Sequence, residues 1–432
     1  MKGPKQSGLL YAYYGDDFTG STDVLEALAS YGVPAVLFTG LPDEQSLKAF
    51  PKCRAIGIAG ESRSRSPVWM ERNLPKVFAA MRALGAPVNH YKVCSTFDSS
   101  PRVGSIGRAM ELGLVAFNAE FVPVVVGAPH LSRSVVYGNL FAAAQGVVYR
   151  IDRHPTMRRH PVTPMAEADL RLHLALQTQM PIGLVDMTSF RAGSAAKRLQ
   201  TELAAGAKAV VFDGVDEAML EETARLVWER ALKRPVFAVG SSGLSHGLVQ
   251  HWHSAGWMGE TARMQRASAA DRLLVLSGSC SPVTEKQIRR ARQQGFAARR
   301  LQHPETWGAQ TRKALEALAR GESVVLYTAL GAGDRNGNKD YGEEFSQALG
   351  DRLRELLVTS GVRRILIAGG DTATHVVKQL GLKALTFAAP LTPGAPLCRG
   401  HAPGSPLDGL ELVLKGGQIG PEEFFAQVRD GR

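Results

Sequence analysis

Short apolar runs alternate along the chain with stretches whose apolar residues recur every three or four positions. LLYAYYG (9–15) reads as a strand. STDVLEALASYG (21–32) follows, with Val24, Leu25, Leu28 and Ala29 at helical spacing, and PAVLFTG (34–40) reads as the next strand. Strand, helix, strand is one βαβ unit, and such units build parallel sheets. RAIGIAGES (54–62), VNHYKVCST (88–96), FVPVVVGAP (121–129), IGLVDM (182–187), AKAVVFDG (207–214) and RPVFAVGSSG (234–243) continue the series. From about Gly256 to Asp271 the strand signal lapses, and GWMGETARMQRASAAD reads as a crossing between domains. A second series then opens with RLLVLSGSC (272–280), ESVVLYTA (322–329), RRILIAGG (363–370) and KALTFAAP (383–390). The pattern predicts an α/β protein of two domains, 1–262 and 263–432. Each is built on a mainly parallel sheet flanked by helices.

Strand after strand ends in Gly, Ser, Thr or Asp: GDDFTG, GESRSRS, CSTFDSS, GSSGLS, SGSCS, AGGDTAT. Ligands of open parallel sheets bind outside the carboxyl ends of the strands. Such endings in both domains predict a polar, anionic ligand and an active site in the interdomain cleft.

Composition narrows the partners. The 432 residues carry 51 Lys+Arg against 40 Asp+Glu, a net charge of +11. An excess of that sign suits nucleic acid, an acidic membrane or a small anion. The basic residues are spread out, and the densest group, Arg289, Arg290 and Arg292 with Arg299 and Arg300, falls in a helical pattern without interleaved aromatics. It reads as a solvated helix face, so nucleic acid is not an expected partner. Cys53, Cys94, Cys280 and Cys398 show neither metal-ligand spacing nor a disulfide framework. The N-terminus lacks a long apolar segment, and no run approaches the ~20 apolar residues of a membrane helix. The expectation is a cytoplasmic protein without a membrane partner.

Candidate chemistry sits at the strand ends. Asp16 and Asp17 can bind substrate hydroxyls, act as general base or hold a metal. Ser21 or Thr22 alone would explain a helix cap, and a cap does not need two aspartates before it. Arg63 and Arg65 suit a carboxylate or phosphate, and an extended GESRSRSP would place both on one side, with Ser62 and Ser64 beside them; a solvated basic loop is the bland alternative. Lys92, Ser95, Thr96 and Asp98 are candidate substrate contacts. SGSCS and AGGDTAT each join a strand to a helix, as phosphate-cradling loops do. Neither is a Walker A loop, and GxGxxG is absent. Lys415 could meet a phosphate as a point charge, although such a position is more often a terminal turn. No histidine spacing fits zinc. Ser241 and Ser242 in GSSGLS do not match GxSxG.

Taken together the motifs resemble the four-carbon acid sugar kinase, or tetronate kinase, family. GDDFTGSTD, HPVTPM (160–165), VGSSGL (239–244), SGSCSPVTEKQI (277–288), AGGDTA (368–373) and LKGGQIG (414–420) occur in that family's order, over almost the whole chain. The resemblance implies an N-terminal domain for a small sugar acid and a C-terminal domain for ATP. The implied reaction is phosphorylation, assisted by Mg²⁺, of a C4 acid such as D-threonate, D-erythronate or a 3-oxo-tetronate to its 4-phosphate. It implies nucleotide contacts from Ser277, Ser279, Ser281, Gly369, Gly370, Asp371, Thr372, Gly416 and Gly417. It puts Asp16, Asp17, Arg63 and the Lys92 to Thr96 segment on the substrate side; within that side the expectation is catalysis for Asp16 and Asp17 and substrate binding for Arg63, Ser64, Lys92, Ser95 and Thr96. The chain departs from the family's usual Asp-Ser-Thr at Cys94-Ser95-Thr96, a change on the substrate side. A homodimer is compatible with the sequence. Two rival readings are a non-catalytic sugar-acid binder and an α/β serine hydrolase.

Overall fold

The computed structural model describes residues 8–144, 146–160, 162–258, 264–302, 304–331, 334 and 343–432, without the side chains of residues 343 and 371. Part of the expected crossing, 259–263, lies outside the described residues. The chain divides into two compact units. One gathers Met1–Asp16, Ala27–Ala35 and Leu41–Ala262; the other gathers Asp17–Glu26, Val36–Gly40 and Arg263–Arg432. Two short pieces from the first forty residues therefore group with the C-terminal stretch.

In chain order the strands are β1 (Tyr11–Gly15), β2 (Ala35–Phe38), β3 (Ala55–Ala59), β4 (Val88–Lys92), β5 (Val122–Val125), β6 (Arg133–Val136), β7 (Asn139–Ala144), β8 (Val147–Arg150), β9 (Ile182–Val185), β10 (Ala209–Phe212) and β11 (Val236–Gly240). Then come β12 (Leu274–Ser277), β13 (Ala297–Arg300), β14 (Val324–Tyr327), β15 (Arg364–Ala368), β16 (Ala384–Thr392), β17 (Ala395–His401) and β18 (Glu411–Lys415).

The first unit holds a parallel sheet in the order β3-β1-β4-β11-β5-β10-β9. Runs such as AVVF in β10 are buried throughout, as a parallel sheet with both faces covered requires. Phe237 of β11 stacks on Phe117 at 5.2 Å and meets Phe78 edge-on at 5.0 Å, anchoring the core on one face. Since β3 lies on one side of β1 and β4 on the other, the winding reverses across β1. A reversal of this kind is where open parallel sheets take ligands, and here it lies at the carboxyl ends of β1 and β4.

A separate antiparallel ribbon, β6-β7-β8, interrupts the series. Its first turn is Tyr137-Gly138, at φ +48° and +79°. Two left-handed residues in succession give the hairpin turn whose twist matches its strands. Tyr-Gly is a weak signal for it, and the sequence pattern alone does not announce the ribbon.

The second unit holds parallel strands in the order β13-β14-β12-β15-β18, continued antiparallel by β17, β16 and β2. Here the winding reverses between β12 and β15. PAVLFTG does not sit beside the first strand as a simple βαβ reading expects. β1 is flanked by β3 and β4, and β2 pairs antiparallel with β16, Leu37 opposite Leu385 and Phe38 opposite Ala384. The arginine group also divides. Arg289, Arg290 and Arg292 lie on helix Pro282–Gln293, while Arg299 and Arg300 lie on β13. Gly295, at φ +83° just past the helix, makes the break. Arg289 pairs with Glu285 and Arg300 with Asp334.

Candidate active site

In the first unit Gly15, Ala59, Lys92 and Gly240 form one row across the sheet, in register at the last residues of β1, β3, β4 and β11. Residues just beyond that row share its edge. Asp16 follows β1, and its carboxylate accepts from both Arg63 Nη2 at 2.8 Å and Nε at 3.2 Å. Backbone bonds fix the pair: Asp16 N–H donates to Lys92 O, and Arg63 N–H donates to Asp16 O. Arg63 lies in a 3₁₀ turn, Ser62–Ser64, and not in an extended segment. The two arginines consequently diverge. Arg65 pairs with Glu61 at 3.1 Å and stacks over Trp69. Ser64 is exposed and donates to Glu61 O.

Lys92 is 2% exposed at the end of β4. After it the chain turns through Cys94 to Asp98. Thr96 Oγ1 reaches Asp98 Oδ1 at 2.5 Å and Cys94 Sγ at 2.9 Å. Burial pushes the Cys94 thiol up, so it stays protonated. Phe97, fully buried, adopts φ +56°, a left-handed conformation that a bulky residue takes at a cost of ~1–3 kcal/mol. Ser95, Thr96 and Asp98 are presented by this strained turn.

Asp17 begins the helix Phe18–Ser30. Its Oδ1 accepts from Gly20 N at 2.7 Å and its Oδ2 from Thr19 Oγ1 at 2.6 Å, while Ser21 Oγ donates to its carbonyl. The cap is thus Asp17. Ser21 and Thr22, the residues that a capping reading would choose, lie within the helix.

Sequence reasoning missed His130 and His246. Their rings stand 3.9 Å apart beyond β5 and β11, and His130 Nε2 lies 3.3 Å from Ser242 Oγ. No spacing signal links positions 130 and 246; only the sheet order brings them together. Ser241 is spent as an N-cap, accepting from Gly243 N and buried, so it is not an accessible nucleophile. His90 is structural: buried between Tyr11 OH and Gly240 O, it is pushed down to about 3 by burial and stays neutral.

In the second unit three loops meet at the reversal between β12 and β15. Ser277 Oγ accepts from Ser279 N, Ser279 Oγ from Ser281 N, and Ser281 Oγ from Val283 N, which starts helix Pro282–Gln293. Gly369, at φ +115°, turns β15 directly into helix Gly370–Gln379. A Cβ on Gly278 would stand 2.0 Å from Thr372 Oγ1, and one on Gly417 2.7 Å from Ser279 Oγ. Thr284 Oγ1 donates to Gly417 O, and Gln287 Nε2 donates to Ile419, Gly420 and Pro421 carbonyls, clamping the 416–421 turn to the helix. A Cβ on Gly416 would meet only Ile419 Cγ1, at an ordinary 3.6 Å. The Asp371 side chain lies outside the described residues. Two helix starts lined by small residues and hydroxyls suit a polyphosphate.

No helix among the described residues is long and apolar enough to cross a membrane. No two of the four cysteines form a disulfide.

Comparison with known proteins accounts for both units. Residues 11–248 match a family described as a sugar-binding N-terminal domain, and residues 274–425 one described as a nucleotide-binding C-terminal domain. The chain is 46% identical to a 3-oxo-isoapionate kinase of Paraburkholderia graminis, covering 99% of this chain and 95% of the relative. It is 31% identical to a 3-oxo-tetronate kinase of Methylobacterium radiotolerans, covering 96% and 97%. The crystal structure of Haemophilus influenzae protein HI1011 shares the fold, with a TM-score of 0.69 and 24% identity over 97% of this chain and 99% of that one. With a sugar-binding domain followed by a nucleotide-binding domain, and kinases matched along nearly its full length, the chain belongs to the tetronate kinase family and is a phosphotransferase with an alcohol acceptor.

Proposed function

We propose that the protein transfers the γ-phosphoryl group of ATP to the 4-hydroxyl of a small 3-oxo sugar acid, with 3-oxo-isoapionate the first substrate to try and 3-oxo-tetronate the second. The observation that carries this reading is full-length identity of 46% to a kinase named for the first compound. D-Threonate and D-erythronate remain in the test as acids without the ketone.

Phosphoryl transfer asks the protein mainly for positioning and charge neutralisation. Arg63, oriented by Asp16, and Lys92 supply positive charge for the carboxylate of the acid. Ser95 and Thr96 offer hydroxyls to the polyol, while Ser64, turned onto Glu61, is the weakest member of the set. We assign Asp17 to the acceptor hydroxyl, since both oxygens of Asp16 rest on Arg63. Asp17 orients the hydroxyl and receives its proton as the O–P bond forms and the bond to the ADP oxygen breaks.

Ser277, Ser279, Ser281, Gly369, Gly370, Asp371, Thr372, Gly416 and Gly417 form the nucleotide site of this proposal. Its described donors are hydroxyls and backbone N–H groups. Of these only the hydroxyl oxygens can ligate a cation, and so few protein ligands fit a Mg²⁺ that keeps several waters and takes other ligands from phosphates; when bound, the ion neutralises phosphate charge. Cysteines without disulfides accord with a cytoplasmic setting, and a homodimer is the assembly to test by light scattering.

The test is a coupled ADP-release screen with these four acids, with and without Mg²⁺. Turnover on 3-oxo-isoapionate above the others supports the proposal. Turnover on none of the 3-oxo acids refutes it.

A further inference from the structure

Lys415, the last residue of β18, has no exposed surface. Its ammonium makes one side-chain hydrogen bond among the described residues, to Thr284 Oγ1 at 2.9 Å. Thr284 passes its own proton on to Gly417 O at 3.0 Å. The Lys415 carbonyl accepts from Gly369 N, the residue that turns β15 into its helix. Lys415 is therefore tied to all three loops of the second unit's site: directly to the 369 turn, and through Thr284 to the 277–284 segment and the 417 turn. A buried lysine is ordinarily matched by a carboxylate or left neutral.

The charges on the surrounding elements are engaged elsewhere. On helix Pro282–Gln293, Glu285 pairs with Arg289, Lys286 with Glu422 and Arg290 with Glu423, while Arg292 adds positive charge. Arg364 of β15 pairs with Glu411 at the far end of β18, opposite Arg399 of β17. Helix Gly370–Gln379 brings His375 and Lys378, both basic, and Asp371, whose side chain lies outside the described residues. Among the described side chains, no carboxylate meets the Lys415 ammonium.

We infer that Lys415 is the buried cation of the nucleotide site, held by Thr284 to meet a phosphate oxygen, and that the bound phosphate supplies its missing counter-charge, so that nucleotide binding takes up a proton. The inference rests on the kinase reading and goes beyond it by assigning one residue and one proton. Burial by itself pushes the Lys415 ammonium down to about 7. A phosphate beside it restores the charged form, because an opposite charge within ~4–6 Å favours ionisation.

The experiment is calorimetric titration of the full-length protein with ADP at pH 8, in buffers of different ionisation enthalpy. At that pH free ADP is essentially fully ionised, so it contributes little to proton exchange. Wild type is expected to take up roughly one proton per ADP bound, falling toward zero at pH 6. Lys415→Arg, permanently charged, is expected to bind ADP without that uptake. Lys415→Met is expected to bind ADP ~10–100-fold more weakly with no loss of thermal stability, since no unpaired buried charge remains. Wild-type binding that is independent of buffer, or Lys415→Met binding like wild type, overturns the inference alone. A wild-type protein that binds no ADP removes the kinase reading and this inference with it.

Discussion

Gly278 offers a direct test of the loop geometry. Its N–H is pinned to Ala368 O at 3.0 Å, so its backbone cannot drift. In Gly278→Ala the new methyl would stand 2.0 Å from Thr372 Oγ1, 3.1 Å from its Cβ and 3.3 Å from its Cγ2. Carbon contacts are comfortable only at ~3.5–4 Å. Rotating Thr372 exchanges Oγ1 for Cγ2 or hydrogen and leaves the Cβ contact tight, and a β-branched residue in a helix has few rotamers to offer. The first turn of helix Gly370–Gln379 must shift, at a cost of ~1–3 kcal/mol for overpacking. If the shift falls on the nucleotide-competent loop, ADP affinity drops by roughly 5- to 150-fold, at 1.4 kcal/mol per tenfold. The assay is ADP titration calorimetry with thermal unfolding for wild type, Gly278→Ala, Thr372→Ala and the double variant. Since Thr372→Ala removes both clashing γ atoms, the double variant should recover ~1–3 kcal/mol relative to additivity. Wild-type ADP affinity and stability in Gly278→Ala, or simple additivity of the two changes, would refute the reasoning.

Two further predictions concern carboxylates. Asp17→Asn should lower kcat by ~10²-fold or more and leave ADP affinity and melting temperature nearly unchanged, because Asn caps helices as well as Asp; turnover equal to wild type discards the assignment. Glu26, partly buried and bonded to Gly394 N, is pushed up to about 8, first by desolvation and then by Asp23. The folded protein therefore holds a proton there that the unfolded chain loses near pH 4.5, so this group's stabilisation declines as pH rises from about 4.5 to about 8. Glu26→Gln should flatten that decline and melt above wild type at pH 8, a result checked by thermal unfolding across pH 5–9; parallel curves for both proteins would refute it.

The α/β class was legible because parallel strands buried on both faces are continuous apolar runs, as in VVLY of β14 and RILIA of β15. The partner of PAVLFTG was not legible. Its periodicity is that of any buried strand, and pairing with β16, nearly 350 residues away, is a tertiary choice. The ribbon over 133–150 escaped for a different reason: its strands are short, half-exposed and joined by Tyr-Gly where Asn-Gly would have marked a turn. Within the site, residues adjoining strand ends were within reach of sequence reasoning, and Asp16, Lys92 and Ser277 all sit there. Extending GESRSRSP as a strand failed because a 3₁₀ turn rotates Arg65 onto Glu61. The pairing of His130 with His246, and of Lys415 with Thr284, depends on strand order and on helix placement, which local sequence does not encode.

Asp17 shows why structural and functional readings of one residue need not compete. As a cap it satisfies one helix N–H, worth ~1 kcal/mol, and Asn or Ser would serve nearly as well. Capping therefore does not choose Asp over its equivalents. Nor does the helix need Asp16, which is committed to Arg63 one residue before the cap. What a cap does supply is rigidity: bonds to Gly20 N and Thr19 Oγ1 hold the carboxylate in one orientation. A group that must align a hydroxyl for in-line attack gains from that fixity, since misplacement by ~1 Å can cost ~10²-fold in rate. On the proposed assignment the helix start is the support of the catalytic group. This is why the neutral isostere, which keeps the support and removes the charge, separates the two roles where truncation to alanine would confound them.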